Sequence, residues 1–164
     1  MLRLTNGHKN HPLIHVVLLS ILLLGLLPAF AYGQASGPVN AAQSDPTWQA
    51  QYWSNPTLKG DPVLEREDEE INFDWAMGTP DAVVPINRFS ARWTRYVLFE
   101  AGEYDFRISS DDGIRVFIDD QLLISKWFDH GLRTWVVRKA LTAGHHLLRV
   151  EYYDNQGPAV AKVS

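Results

Sequence analysis

Tyr104-Asp105-Phe106-Arg107-Ile108, then Ser109-Ser110-Asp111-Asp112-Gly113, then Ile114-Arg115-Val116-Phe117-Ile118 is the stretch that decides the fold. Tyr104, Phe106 and Ile108 fall on one side of an extended chain and Asp105 and Arg107 on the other, because side chains alternate along a strand. The polar run with its glycine breaks that strand, and Ile114, Val116 and Ile118 resume the alternation. Asp119-Asp120 then precedes Gln121-Leu122-Leu123-Ile124, which predicts a tight hairpin between two short strands.

Downstream, residues 134–141 and 145–153 flank Thr142-Ala143-Gly144 as another strand pair, with Leu148, Val150 and Tyr152 alternating with Arg149 and Glu151. Residues 160–163 supply a short closing strand. No capped apolar stripe of period 3.6 runs over ten residues beyond the N-terminal region, and polar turns recur roughly every 8 to 12 residues. These features predict an all-β fold, an antiparallel two-sheet β-sandwich of the jelly-roll-like kind, with Tyr104, Phe106, Ile108, Val116, Ile118, Val150 and Tyr152 buried. Residues 48–99 are less regular. Within them Glu65, Glu67, Asp68, Glu69 and Glu70 surround Arg66 and read as a solvated acidic loop, with a cation site as the minor alternative.

Upstream, Arg3 and Lys9 precede an apolar run at residues 13–27 interrupted by His15, Ser20 and Gly25, followed by Pro28 and the small residues Ala29, Ala31 and Gly33. Basic end, apolar middle and small-residue exit predict a signal peptide over residues 1–33. The alternative is an uncleaved anchor, since residues 13–30 reach the lower edge of spanning length. Residues 34–46, rich in Ser, Gly, Pro, Ala and Asn, read as a flexible linker, and residues 47–164 as the folded domain.

The chain has 164 residues, a net charge of −4 and no cysteine. The acidic balance speaks against a nucleic-acid partner, whose backbone would need a basic face. Without cysteine there are no disulfides, thiolate metal sites or cysteine nucleophiles. Six tryptophans point to an aromatic core or binding surface rather than disorder.

An ordered set of blocks carries a family resemblance: Trp48 with Tyr52-Trp53-Ser54-Asn55, Leu58-Lys59-Gly60, Ile71-Asn72-Phe73-Asp74-Trp75 with Gly78 and Pro80, and Phe89-Ser90-Ala91-Arg92-Trp93-Thr94. It continues through Ala101-Gly102-Glu103-Tyr104-Asp105-Phe106, Ser110-Asp111-Asp112-Gly113-Ile114-Arg115-Val116, Ile118-Asp119, Trp127, Gly144-His145-His146, and Val150-Glu151-Tyr152-Tyr153 with Asn155 and Gly157. The chain thereby resembles the domain named after the fourteen-kilodalton fragment of anthrax protective antigen, a secreted β-sandwich module of bacterial toxins, glycosidases and fungal adhesins. Two positions depart from the family pattern. Asp120 stands where a hairpin glycine is common, and Arg95 where another glycine is common, so a different local turn is expected there.

Asp111 and Asp112, alone, read either as a polar turn that accepts local N–H bonds or as a hard-cation site in which an ion relieves the repulsion of adjacent carboxylates. The resemblance implies the second for lectin-like members, where the paired aspartates bind calcium across a cis peptide and a later loop asparagine, here Asn155, completes the site. It implies in turn a sugar held near the ion by the loop carrying Trp127, Phe128, Asp129 and His130, with Trp127 stacking on a pyranose or, alternatively, capping the core. His145 and His146 point to opposite faces of a strand and share no ion. No Gly-x-Ser-x-Gly elbow, helical zinc motif or phosphate loop is present, so no catalytic activity is expected.

The reading at this point is a secreted, extracellular or cell-surface carbohydrate-binding or adhesin-type module, with calcium as cofactor at Asp111, Asp112 and Asn155, and with Trp127, Asp129 and His130 binding the ligand. Its partner would be a glycan or cell-surface polysaccharide, with no membrane association after cleavage. The alternative is a structural or protein–protein interaction module without a bound cation.

Overall fold

The computed structural model describes residues 44–164, and the expected signal peptide and most of the linker lie outside the described residues. The described residues form ten strands, most of them with alternating apolar side chains: β1 (Trp48–Trp53), β2 (Leu64–Asp68), β3 (Asn72–Ala76), β4 (Phe89–Phe99), β5 (Gly102–Asp111), β6 (Ile114–Ile118), β7 (Gln121–Lys126), β8 (Arg133–Leu141), β9 (Gly144–Asp154) and β10 (Ala159–Val163). They pair antiparallel into a six-stranded sheet, β2-β1-β4-β9-β6-β7, and a four-stranded sheet, β3-β10-β5-β8. The fold is the all-β, two-sheet antiparallel sandwich that the period-two pattern predicts.

The inner faces bury Tyr52, Ala91, Trp93, Val116, Val150 and Tyr152 from the large sheet against Phe106, Ile108 and Ala161 from the small one. Phe73 stacks on Trp75 at 4.8 Å and on Trp93 at 5.8 Å, so aromatic rings bridge the two sheets. Tyr104 is only half-buried, contrary to expectation. It lies near the start of β5, edge-on to Phe99, where its hydroxyl reaches out to donate to the Glu100 carbonyl.

The acidic run expected as a loop is instead largely strand β2. Its inward positions are Arg66 and Asp68, and Asp68 is buried because its carboxylate accepts from the Tyr52 hydroxyl (2.6 Å), the Trp93 indole (2.8 Å) and Arg66 Nε (2.7 Å). Desolvation, reinforced by Asp68, pushes the Tyr52 hydroxyl well above its ordinary pKa. Arg95 makes no turn, since β4 runs straight through it and its guanidinium stacks on Trp48 while donating to the Asp45 carbonyl. Asp119 and Asp120 both adopt left-handed backbone (φ 51° and 60°), the conformation in which a short acidic side chain replaces the usual glycine. Ser44 and Asp45, placed in the linker by the sequence, are already hydrogen-bonded to Leu98 and Tyr96 of β4.

Candidate functional site at the Asp111 end of the sandwich

Three segments meet where β5 ends: the Asp112-Gly113 turn, the loop 127–132 between β7 and β8, and the turn after β9. The peptide between Asp111 and Asp112 is cis. Asp112 ties the segments together, because one carboxylate oxygen accepts from the His130 backbone N–H (3.0 Å) and the other from the Asn155 backbone N–H (2.9 Å). Asp111 in turn accepts a backbone hydrogen bond from Leu132, and its own carbonyl accepts from the Tyr152 hydroxyl. Gly113 is required here: a Cβ at this position would lie 2.1 Å from Cε1 of Tyr153, whose ring covers the turn.

The expected site residues are brought to one end of the molecule, where hydrogen bonds link them to one another and to the backbone. The Asn155 side-chain amide donates to Asp129 at 2.8 Å, and Tyr153 donates to the other oxygen of Asp129 at 2.7 Å. Those two hydrogen bonds, Tyr153 first, hold the Asp129 carboxyl below its ordinary pKa. Trp127 is half-buried, edge-on to Tyr153 at 4.8 Å and under the Arg115 guanidinium at 4.2 Å, so it is not an open stacking platform. The exposed ring of this loop is Phe128. His130 is buried between Phe128 and Trp135, with Nδ1 at 2.8 Å from the Gly131 carbonyl and Nε2 without a hydrogen-bond partner.

The residue that sequence reasoning missed is Asp154. It is fully buried, and among the described residues no side chain donates to its carboxylate, whose charge is favoured only by the backbone N–H of Arg88. Burial first, then the neighbouring charge of Asp112, pushes its pKa up to about 7. Burial and Asp112 likewise raise Asp111. The signal was legible in β9, where Leu148, Val150, Tyr152 and Asp154 share one register and only the last is an acid.

Among the described residues no group of three or more His, Asp or Glu side chains forms a ready cage for a metal ion. Two grooves of about 270 and 300 Å³ lie around Ile71, Val163 and Ser164, with acidic, basic and apolar side chains mixed in their walls, and none of the expected site residues lines them.

The chain matches the PA14 domain family over residues 44–164. It belongs to that family. A curated relative, the anti-sigma-I factor RsgI3 of Acetivibrio thermocellus, is 37% identical over 100 residues, 60% of this chain and 16% of that protein. Among solved structures, an anti-sigma factor domain-containing protein superposes with a TM-score of 0.68 and 31% identity over 73% of this chain and 42% of its own. Another, from Clostridium clariflavum, gives 0.64 and 30% over 71% and 40%. The chain thus spans less than half the length of each of these three relatives.

These likenesses correct the functional expectation. Relatives at 30 to 37% identity are anti-sigma factor proteins by name, so the reading as a secreted, lectin-like carbohydrate-binding module with a glycan or polysaccharide partner is overturned in favour of the interaction-module alternative. At the Asp111 end, Asp112 and Asn155 brace the loops through the backbone and Asp129, and Trp127 is half-buried against Tyr153 and Arg115. The relatives are regulators by name, in keeping with the expected lack of catalysis.

Proposed function

We propose that this PA14 domain is a non-catalytic protein-interaction module of an anti-sigma-type regulator, working outside the cytoplasm at the cell surface. The observation that carries the reading is the likeness to anti-sigma factor proteins at 30 to 37% identity. The geometry is compatible with it, since both Asp112 oxygens accept from backbone N–H groups of two other loops and so tie that end of the sandwich together. Residues 13–30, outside the described region, then serve as a retained anchor rather than a cleaved signal. Intact-mass measurement of the cell-associated protein tests this: a mass that includes residues 1–33 supports retention, and loss of that segment reverses it. Transcript profiling of cells with residues 44–164 intact or deleted tests the regulatory reading. A coherent set of sigma-dependent transcripts changes if it holds, and an unchanged profile overturns it.

A second reading concerns calcium. The charges of Asp111, Asp112 and Asp154 act on one another, and an oxygen-seeking cation that drew these carboxylates together would relieve their repulsion and brace the loops. Melting of the full chain in millimolar calcium and in chelator tests it: a rise in calcium that Asp154→Asn abolishes supports the ion, and identical curves reject it.

A further inference from the structure

The outer face of the six-stranded sheet carries a line of side chains in register across all six strands: Glu65, Gln51, Arg92, Glu151, Arg115 and Ser125. At its centre Glu151 is only 1% exposed, although it belongs to the face turned toward solvent. Three guanidinium groups cover it. Arg92 Nε donates to one oxygen at 3.0 Å and Arg149 Nη1 to the same oxygen at 2.8 Å, while Arg115 Nε donates to the other. Burial alone would raise the Glu151 carboxyl, but the hydrogen bonds from Arg115 and Arg149 and the surrounding positive charge outweigh it and hold the group ionised, below its ordinary pKa.

Aromatic rings fix the guanidinium planes. Arg92 lies over Trp53 at 5.4 Å, Arg115 over Trp127 at 4.2 Å and Arg149 over Phe117 at 3.9 Å. Arg149 uses its remaining end on Asp120. Arg92 and Arg115, however, engage Glu151 through Nε, and their terminal nitrogens make no hydrogen bond to a described residue, while both side chains stay about a third exposed. The result is a positive, preorganised spot on a chain whose net charge is −4. Two guanidinium forks held in place suit planar carboxylates, because little side-chain entropy remains to be lost. Beside them Phe117 pairs with Leu122, which is 57% exposed, so the ligand should bring apolar side chains as well as acids.

We propose that this face, centred on Arg92 and Arg115, docks an acidic, partly apolar segment of a partner protein. The proposal rests on the interaction-module reading and names the surface it would use. It is tested with the full chain and a labelled peptide of alternating Glu and Leu, read by fluorescence anisotropy. Binding is expected to weaken about tenfold or more in R92Q/R115Q, and to fall steeply with added salt, while R107Q/R133Q in the four-stranded sheet binds as wild type. Because R92Q/R115Q leaves the buried Glu151 undercompensated, R92Q/R115Q/E151Q serves as the folded control and is expected to lose binding equally. Absence of peptide binding, equal binding by the folded triple variant, or equal loss in R107Q/R133Q overturns the proposal. So does binding only to phosphatidylglycerol vesicles, which would make the face a lipid-headgroup site, and so does sedimentation showing self-association that R92Q/R115Q abolishes, which would seat the acidic residues 65–70 of a second copy there. A transcript response with no peptide binding sinks this surface alone and leaves the regulatory reading standing.

Discussion

Asp154 shows how one carboxyl colours the behaviour of the folded chain. Its pKa, pushed up to about 7 by burial and then by Asp112, lies above the ordinary carboxylate value, so the folded state binds this proton more tightly than the unfolded one. The stabilising contribution is therefore complete below the unfolded pKa and is lost as pH rises toward 7. Between about pH 5 and about pH 8, in chelator, Asp154→Asn should gain on the order of 2 to 3 kcal/mol relative to wild type. Urea denaturation at the two pH values checks this, and parallel changes in both proteins would show that Asp154 ionises without penalty. At this scale the sequence was legible in part. The aspartate pair and the neighbouring loop residues were found because their spacing is local, but their partners were not, since His130 and Asn155 meet Asp112 through backbone N–H groups that side-chain identity does not reveal.

Among the elements, β5, β6 and β9 were readable because apolar and polar residues alternate along them, whereas β2 was hidden by a different alternation. Its inward and outward residues are all charged or polar after Leu64, and Asp68 becomes an inside residue only through the hydroxyl, indole and guanidinium that converge on it from β1, β4 and β2 itself. No period in hydropathy records such a satisfied polar cluster. The turn from β5 to β6 makes an element-level demand that can be measured. Gly113→Ala would drive a methyl group into the Tyr153 ring and, through Tyr153, disturb the hydrogen bond to Asp129. A loss of about 1 to 3 kcal/mol is expected, with near-ultraviolet circular dichroism reporting displaced aromatic rings. An unchanged spectrum and midpoint would mean that the turn yields freely.

For the molecule as a whole, aromatic contacts between the sheets contribute to stability, among them Phe99 of β4 against Phe106 of β5. Phe106→Ala removes a ring that is 6% exposed in the small sheet and should cost about 3 to 5 kcal/mol, read as a lowered denaturation midpoint. A midpoint within error of wild type would show that the two sheets close over the gap. The ordered family blocks made the sandwich legible from sequence, yet function was not, because an aspartate pair that braces loops and one that binds a ligand are written with the same residues. The two ends of the described region add something else. Asp45 exchanges hydrogen bonds with Tyr96 in β4, and Ser164 exchanges backbone hydrogen bonds with Arg107 in β5, while the loops tied by Asp112 lie at the opposite end of β4 and past the far end of β5. The two ends of the described region are thus held by different sheets, Ser44 and Asp45 by the six-stranded one and Ser164 by the four-stranded one, while β10 runs straight out of the turn that Asp112 holds, so that a change at Asn155 is passed along β10 into the small sheet.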